Sequence, residues 1–84
     1  MYKVKINKQV LKDIKHIDKK YKKKIIETIE EKIAKEPYKG KRLAENLSPF
    51  YRWRVGDYRI IYSINDDIVE IEIIKVSHRQ QAYK

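Results

Sequence analysis

The chain has 84 residues, the size of one small domain, and its 21 Lys+Arg against 12 Asp+Glu give a formal charge of +9. Hydrophobic residues make up 42% of it, enough to pack a core and unlike the low-apolar, highly charged compositions that stay disordered. Cysteine is absent, which excludes a disulfide framework, a thiolate zinc site and a cysteine nucleophile.

Residues 2–6 (Tyr-Lys-Val-Lys-Ile) alternate apolar and polar, which predicts a half-buried strand. Asn7 is positioned to cap a helix from about Lys8 to Asp18, with Val10, Leu11, Ile14 and Ile17 on one stripe. A second helix is expected from Lys19 to Lys35, where Tyr21, Ile25, Ile29 and Ile33 recur every four residues and Ile26 broadens the stripe. The helices abut almost without a loop, as in a helical hairpin laid on a sheet. Pro37 and Gly40 end this region, and residues 36–49 read as irregular. Three strands follow. Tyr51, Trp53 and Val55 alternate with Arg52 and Arg54; Gly56-Asp57 is a two-residue turn with glycine first, as type II′ prefers. Tyr58, Ile60, Tyr62 and Ile64 form the next apolar row. Asp66-Asp67 predicts a second tight turn, after which Val69, Ile71 and Ile73 alternate with Glu70 and Glu72.

The order βααβββ predicts one α+β domain over residues 1–84: a small antiparallel sheet with the N-terminal helical hairpin packed on one face. No apolar run approaches the roughly 18 residues of a membrane span. The first residues, MYKVKINKQV, lack the apolar block of a secretory signal. A cytoplasmic protein with no membrane partner is therefore expected.

Charge is unevenly distributed. Twelve lysines and no arginine lie in residues 1–35, whereas Arg42, Arg52, Arg54, Arg59 and Arg79 all lie beyond. Lysine is a hydrated point charge suited to a solvated face, and arginine is a fork that grips two phosphate oxygens at once. A two-residue turn at 56–57 pairs Val55 with Tyr58, which sets Arg54 directly opposite Arg59 and leaves Arg52 on the same face. Two readings fit that face: a solvated basic surface partly neutralised by Glu70 and Glu72, or a phosphate-binding surface that Arg79 closes over.

The run Tyr51-Arg52-Trp53-Arg54-Val55-Gly56-Asp57-Tyr58-Arg59-Ile60-Ile61-Tyr62, followed by Val76-Ser77-His78-Arg79 and a terminal Tyr83, resembles the RelE/ParE toxin superfamily. The resemblance extends over essentially the whole chain and agrees with the predicted element order. Its RelE-like branch implies the toxin of a type II toxin–antitoxin system. Such a toxin is a ribosome-dependent endoribonuclease, an mRNA interferase that cuts mRNA in the decoding site by attack of a ribose 2′-hydroxyl on the adjacent phosphate. The resemblance further implies that an antitoxin protein silences it and that it contacts mRNA and 16S rRNA on the ribosome. Arg59 matches the family's middle-strand arginine, Arg79 the one after the last strand, and Tyr83 the C-terminal tyrosine. Arg52 and Arg54 stand where some members have lysines and are read as RNA-binding. His78 matches a position that is histidine in some members and lysine in others.

Arginine does not lose its proton in a protein, so these four arginines can clamp charge but cannot act as acid or base. Among the matched positions, His78 and Tyr83 are left to move protons in a reaction that needs an acceptor, a donor and charge stabilisation on the phosphoryl oxygens. Glu45, in the irregular stretch, is an alternative base. His78 also reads as a polar residue at a strand end, His16 as a surface residue, and the lysines from Lys19 to Lys24 as a solvated face that can touch RNA backbone. The sequence holds no metal-ligand cluster and no nucleotide-binding glycine loop, so neither metal nor other cofactor is expected. The ParE-like branch implies the alternative, a non-nuclease toxin that inhibits DNA gyrase by binding it.

Overall fold

The structure is a computed structural model and describes residues 1–43 and 50–78. Strand β1 (Lys3–Ile6) leads into helix α1 (Lys8–Ile14), capped as expected by Asn7, whose side chain accepts from the Gln9 backbone N–H at 2.9 Å. The first helix is shorter than its apolar stripe suggests. After Ile14 the chain tightens into i→i+3 bonds (Lys15 to Lys12, Ile17 to Ile14), and Asp18 caps the next helix through Lys20 N. Asp18 thus begins α2 (Lys19–Thr28) and does not finish α1.

Helix α2 is continued by a π-helical turn over Ile29–Ile33, with Ala34 N bonded to Ile29 O. Its sequence explains this. Apolar residues every four positions outrun the 3.6-residue α-helical turn, and a wider i→i+5 turn takes up the excess. Ile25, Ile29 and Ile33 consequently all face inward and are buried. Leu11 and Ile26, expected on the apolar stripes, are exposed.

A short 3₁₀ turn (Pro37–Lys39) precedes β2 (Lys41–Arg42), β3 (Phe50–Val55), β4 (Tyr58–Asn65) and β5 (Glu70–His78). The sheet order is β1-β5-β4-β3-β2. The expected antiparallel pairing is realised among β3, β4 and β5 but not by β1. The two residues of β2 form a fifth strand, and β1 pairs parallel to β5, making the sheet mixed. The parallel pairing follows from the connection: the helical hairpin carries the chain across the sheet to its far side, leaving β5 as the edge open to β1. No helix among the described residues is long and apolar enough to cross a membrane.

The β3–β4 register is the one the turn arithmetic predicts, from Val55↔Tyr58 through Arg54↔Arg59 to Phe50↔Ser63. Gly56 takes φ 59°, the positive value that a type II′ turn asks of its first central residue. The second turn differs from expectation. Asn65 pairs with Glu70, so the loop spans residues 66–69, with the Asn65 side chain accepting from Asp67 N at 3.0 Å and Val69 at φ 50°. Asp66-Asp67 has no glycine to supply the positive φ of a two-residue turn, and the longer loop leaves Val69 exposed outside the core.

Ile71 and Ile73 do join the core, with Val10, Ile14, Ile25, Ile29, Ile33, Ile60, Tyr62 and Val76. A β-bulge makes this possible. Ile61 pairs with Lys75 but Tyr62 with Ile73, so Ile74 is the extra residue, and the side-chain alternation of β5 shifts by one there. The buried Tyr62 hydroxyl donates to Pro37 O at 2.6 Å, tying the 3₁₀ turn to the core; burial pushes this phenol up to about 12.

Candidate functional site

Directly opposed residues in a sheet share a face. The pairings therefore build two rows on the side of the sheet away from the helices. One row is Arg54, Arg59 and Ser77; the next is Lys41, Arg52, Ile61 and Lys75. Arg59 occupies the centre, only 7% exposed beside Ser77 at 6%, while Arg52 is half-buried and Arg54, Lys41 and Lys75 are exposed. Five cationic side chains thus lie on two adjacent rows.

The acids expected to neutralise this face sit elsewhere on it. Glu72 pairs with Ser63 and Glu70 with Asn65, toward the opposite end of β4, and on their other side they face Lys5 and Lys3 of β1. Glu72 also accepts from Asn7 Nδ2 at 3.3 Å. The arginine end keeps its positive field, and arginines that retain their protons can hold developing negative charge on a phosphoryl group.

His78 is not among these residues. It pairs with Tyr58, with which it makes an edge-to-face ring contact at 5.2 Å, and it lines a groove with Lys12, Asp13 and His16 on the helix side of the sheet. The bulge at Ile74 is the cause. Carrying the Ile71/Ile73 alternation forward without it would set His78 on the Arg59 face. The structure therefore brings Arg52, Arg54 and Arg59 together and separates His78 from them by the thickness of the sheet. Arg79, Tyr83 and Glu45 lie outside the described residues.

Lys41 and Lys75 are members of the face that the sequence reading missed. Lys41 belongs to a strand too short to show alternation, and Lys75 needs the bulge for its placement. Trp53 keeps to the helix side as its parity indicates, lining a groove of about 510 Å³ with Tyr21 and Lys24 of α2. No group of three or more side chains able to hold a metal ion occurs among the described residues.

The titratable groups with displaced equilibria cluster at the other end of the sheet. Asp66, in the β4–β5 loop, accepts from the Tyr2 hydroxyl at 2.7 Å and from the Tyr38 hydroxyl. These bonds, Tyr38's first, hold its carboxyl below the usual range; its own bond to Asp66 pushes Tyr38 up to about 12, and Tyr2 is raised by its own in turn. Tyrosines shifted upward are poor proton acceptors, and the cluster braces three chain segments: the N-terminus, the 3₁₀ turn and the loop. Ring contacts of Tyr38 on Tyr51 and Tyr51 on Tyr62, each at 5.7 Å, extend the brace into the core.

With this geometry in place, comparison with known proteins is informative. Residues 4–83 match the family model described as the ParE toxin of the type II toxin-antitoxin system parDE. A protein named "Putative toxin RelE1", from Methanocaldococcus jannaschii, is 40% identical over 88 residues, covering 99% of this chain and 96% of that one. Among solved structures, the RelBE2 toxin-antitoxin complex of Mycobacterium tuberculosis superposes with a TM-score of 0.85 at 26% identity, covering 93% of this chain and 98% of that one. The archaeal RelE-RelB complex of Pyrococcus horikoshii does so with 0.73 at 34%, covering 93% and 94%. The chain belongs to the RelE/ParE superfamily, as a RelE-type toxin of type II toxin-antitoxin systems.

Proposed function

We propose that the protein is a ribosome-dependent endoribonuclease that cleaves mRNA in the decoding site without a metal ion. The observation that carries this reading is the pair of cationic rows around Arg59, set apart from Glu70 and Glu72. A sheet needing only solubility gains nothing from two arginines directly opposed, whereas a phosphodiester gains a clamp.

In the proposed reaction the ribose 2′-oxygen attacks the adjacent phosphorus as its proton passes to a base. The bond to the leaving 5′-oxygen breaks as that oxygen takes up a proton, giving a 2′,3′-cyclic phosphate and a 5′-hydroxyl. Arg59 and Arg79 hold the phosphoryl oxygens, and Arg52 and Arg54 bind the RNA on either side. Tyr83 and His78 share the proton transfers. Because His78 occupies the helix side of β5, it reaches the reacting phosphate only around the strand end, and the reaction depends more on Tyr83. A phenol near its ordinary value of about 10 needs surrounding cations to lower it before it can accept a proton at neutral pH, and the arginines supply them.

An antitoxin is the proposed protein partner, since the matched solved structures are complexes named with RelB. The lysines from Lys19 to Lys24 of α2 are proposed to meet 16S rRNA backbone, and the proposed compartment is the cytoplasm. The test is 5′-end mapping of a reporter mRNA on programmed ribosomes. Cleavage at the decoding position that requires ribosomes and vanishes in Arg79→Ala supports the reading; intact mRNA with folded wild-type protein refutes it. The match to a parDE family model favours one other reading, inhibition of DNA gyrase by binding. A supercoiling assay separates the two, since the nuclease leaves gyrase unaffected.

A further inference from the structure

The groove that holds His78 has a composition of its own. It encloses about 410 Å³ between the end of α1 and strands β4 and β5, and is lined by Lys12, Asp13, His16, Ile17, Tyr58, Val76 and His78. Among the described residues Asp13 is its sole carboxylate, and both oxygens already serve the fold: Oδ1 accepts from Gln9 Nε2 at 2.8 Å and Oδ2 from the Val76 backbone N–H at 2.9 Å. The other polar groups are an ammonium, two imidazoles and a phenol, that is, donors and cations. Ile17, Val76 and the Tyr58 ring supply an apolar wall that lowers the local dielectric and strengthens a charged contact.

We infer that this groove is a second phosphate-binding subsite, which takes a backbone phosphate of single-stranded RNA on the side of the sheet away from the arginines. Lys12 and His16 reach it from α1 and the turn after it, and His78 lines it from β5. Asp13 is held by its two donors. The inference concerns binding alone and does not depend on cleavage.

The test is a titration of the full chain, followed by NMR signals of the histidine rings, with two probes: inorganic phosphate and a 2′-O-methyl uridine hexanucleotide that cannot be cleaved. The hexanucleotide should move the His16 and His78 ring signals at pH 6.0. The Lys12→Gln/His16→Gln variant, altered only at exposed positions, should bind at least tenfold more weakly at pH 6.0, the worth of one of the two charge-assisted contacts it removes. Ring signals that respond to neither probe overturn the inference, as does unchanged affinity in the variant. Ring signals that respond to phosphate but not to the hexanucleotide overturn the RNA assignment. Loss of ribosomal cleavage in the mapping experiment bears on the proposed reaction and leaves this titration standing.

Discussion

Replacing Arg54 with glutamine should make the free protein more stable and its grip on RNA weaker. Arg54 and Arg59 are directly opposed across the β3–β4 hairpin, and Arg59 is buried enough that water screens the pair poorly from one side. Like charges in that relation cost from a few tenths to about 1 kcal/mol; relief of about 0.5 kcal/mol raises the melting temperature of a domain this size by about 2–4 °C. Glutamine keeps most of the aliphatic stem that packs along β3, so the change isolates charge from packing. Because Arg54 is exposed, the gain should shrink in 0.5 M salt, where the Debye length is about 4 Å. On RNA the same substitution removes one phosphate contact, which should weaken binding and lower the slope of log affinity against log salt by about 0.7. Thermal melts at two salt concentrations and fluorescence anisotropy with an uncleavable RNA measure both effects. A variant that melts lower and binds RNA unchanged would refute the reasoning, because the arginine pair would then serve the fold and not a ligand.

Other consequences follow from the tyrosine-rich end. Tyr62→Phe removes the hydroxyl donor to Pro37 O, leaving it the longer bond from Gly40 N at 3.4 Å, and should cost about 0.5–1.5 kcal/mol in urea unfolding, with RNA affinity unchanged. Gly40→Ala should be destabilising, since a Cβ there would lie 1.9 Å from the Tyr62 hydroxyl oxygen and 3.0 Å from Arg52 O; the same urea experiment reads it, and Tyr62→Phe should relieve part of the effect. Asp66 is depressed in the folded state, so its stabilisation is complete above the unfolded carboxylate value of about 3.9 and is lost as pH falls through the folded value. Asp66→Asn should therefore flatten the acid limb of the stability profile below pH 4, as followed by urea midpoints against pH. Tyr38 has the opposite sign: raised to about 12, it contributes below the unfolded phenol value of about 10, and that contribution disappears as pH rises through the folded value.

The central hairpin was fully legible in the sequence because a two-residue turn leaves a single register, and that register puts Arg54 across from Arg59. The core residues of α2 were legible for a similar reason, although their spacing of four concealed the π-helical turn that satisfies it. What could not be read was the placement of residues after Ile73. Two isoleucines in succession, Ile73 and Ile74, give no sign of which is the extra one, and a bulge there reverses every later side chain. His78 consequently lies beside Tyr58 and not Arg59, and Lys75 enters the cationic face. The parallel pairing of β1 was hidden too, since its alternation reports a half-buried strand but not its partner. Lys41 escaped because two residues of β2 carry no period at all.

The measurement that tests the central claim most directly is the single-turnover rate of mRNA cleavage on programmed ribosomes, at saturating ribosome concentration, for Arg59→Gln beside Lys22→Gln/Lys23→Gln on α2. If the arginine face holds the scissile phosphate, Arg59→Gln should lose on the order of 10²–10³ in rate, as for removal of one preorganised charge stabiliser. The helix variant should stay within about threefold of wild type, its half-buried Lys22 and exposed Lys23 contributing at most a screened surface attraction. A folded Arg59→Gln protein that cuts at the wild-type rate would contradict the account.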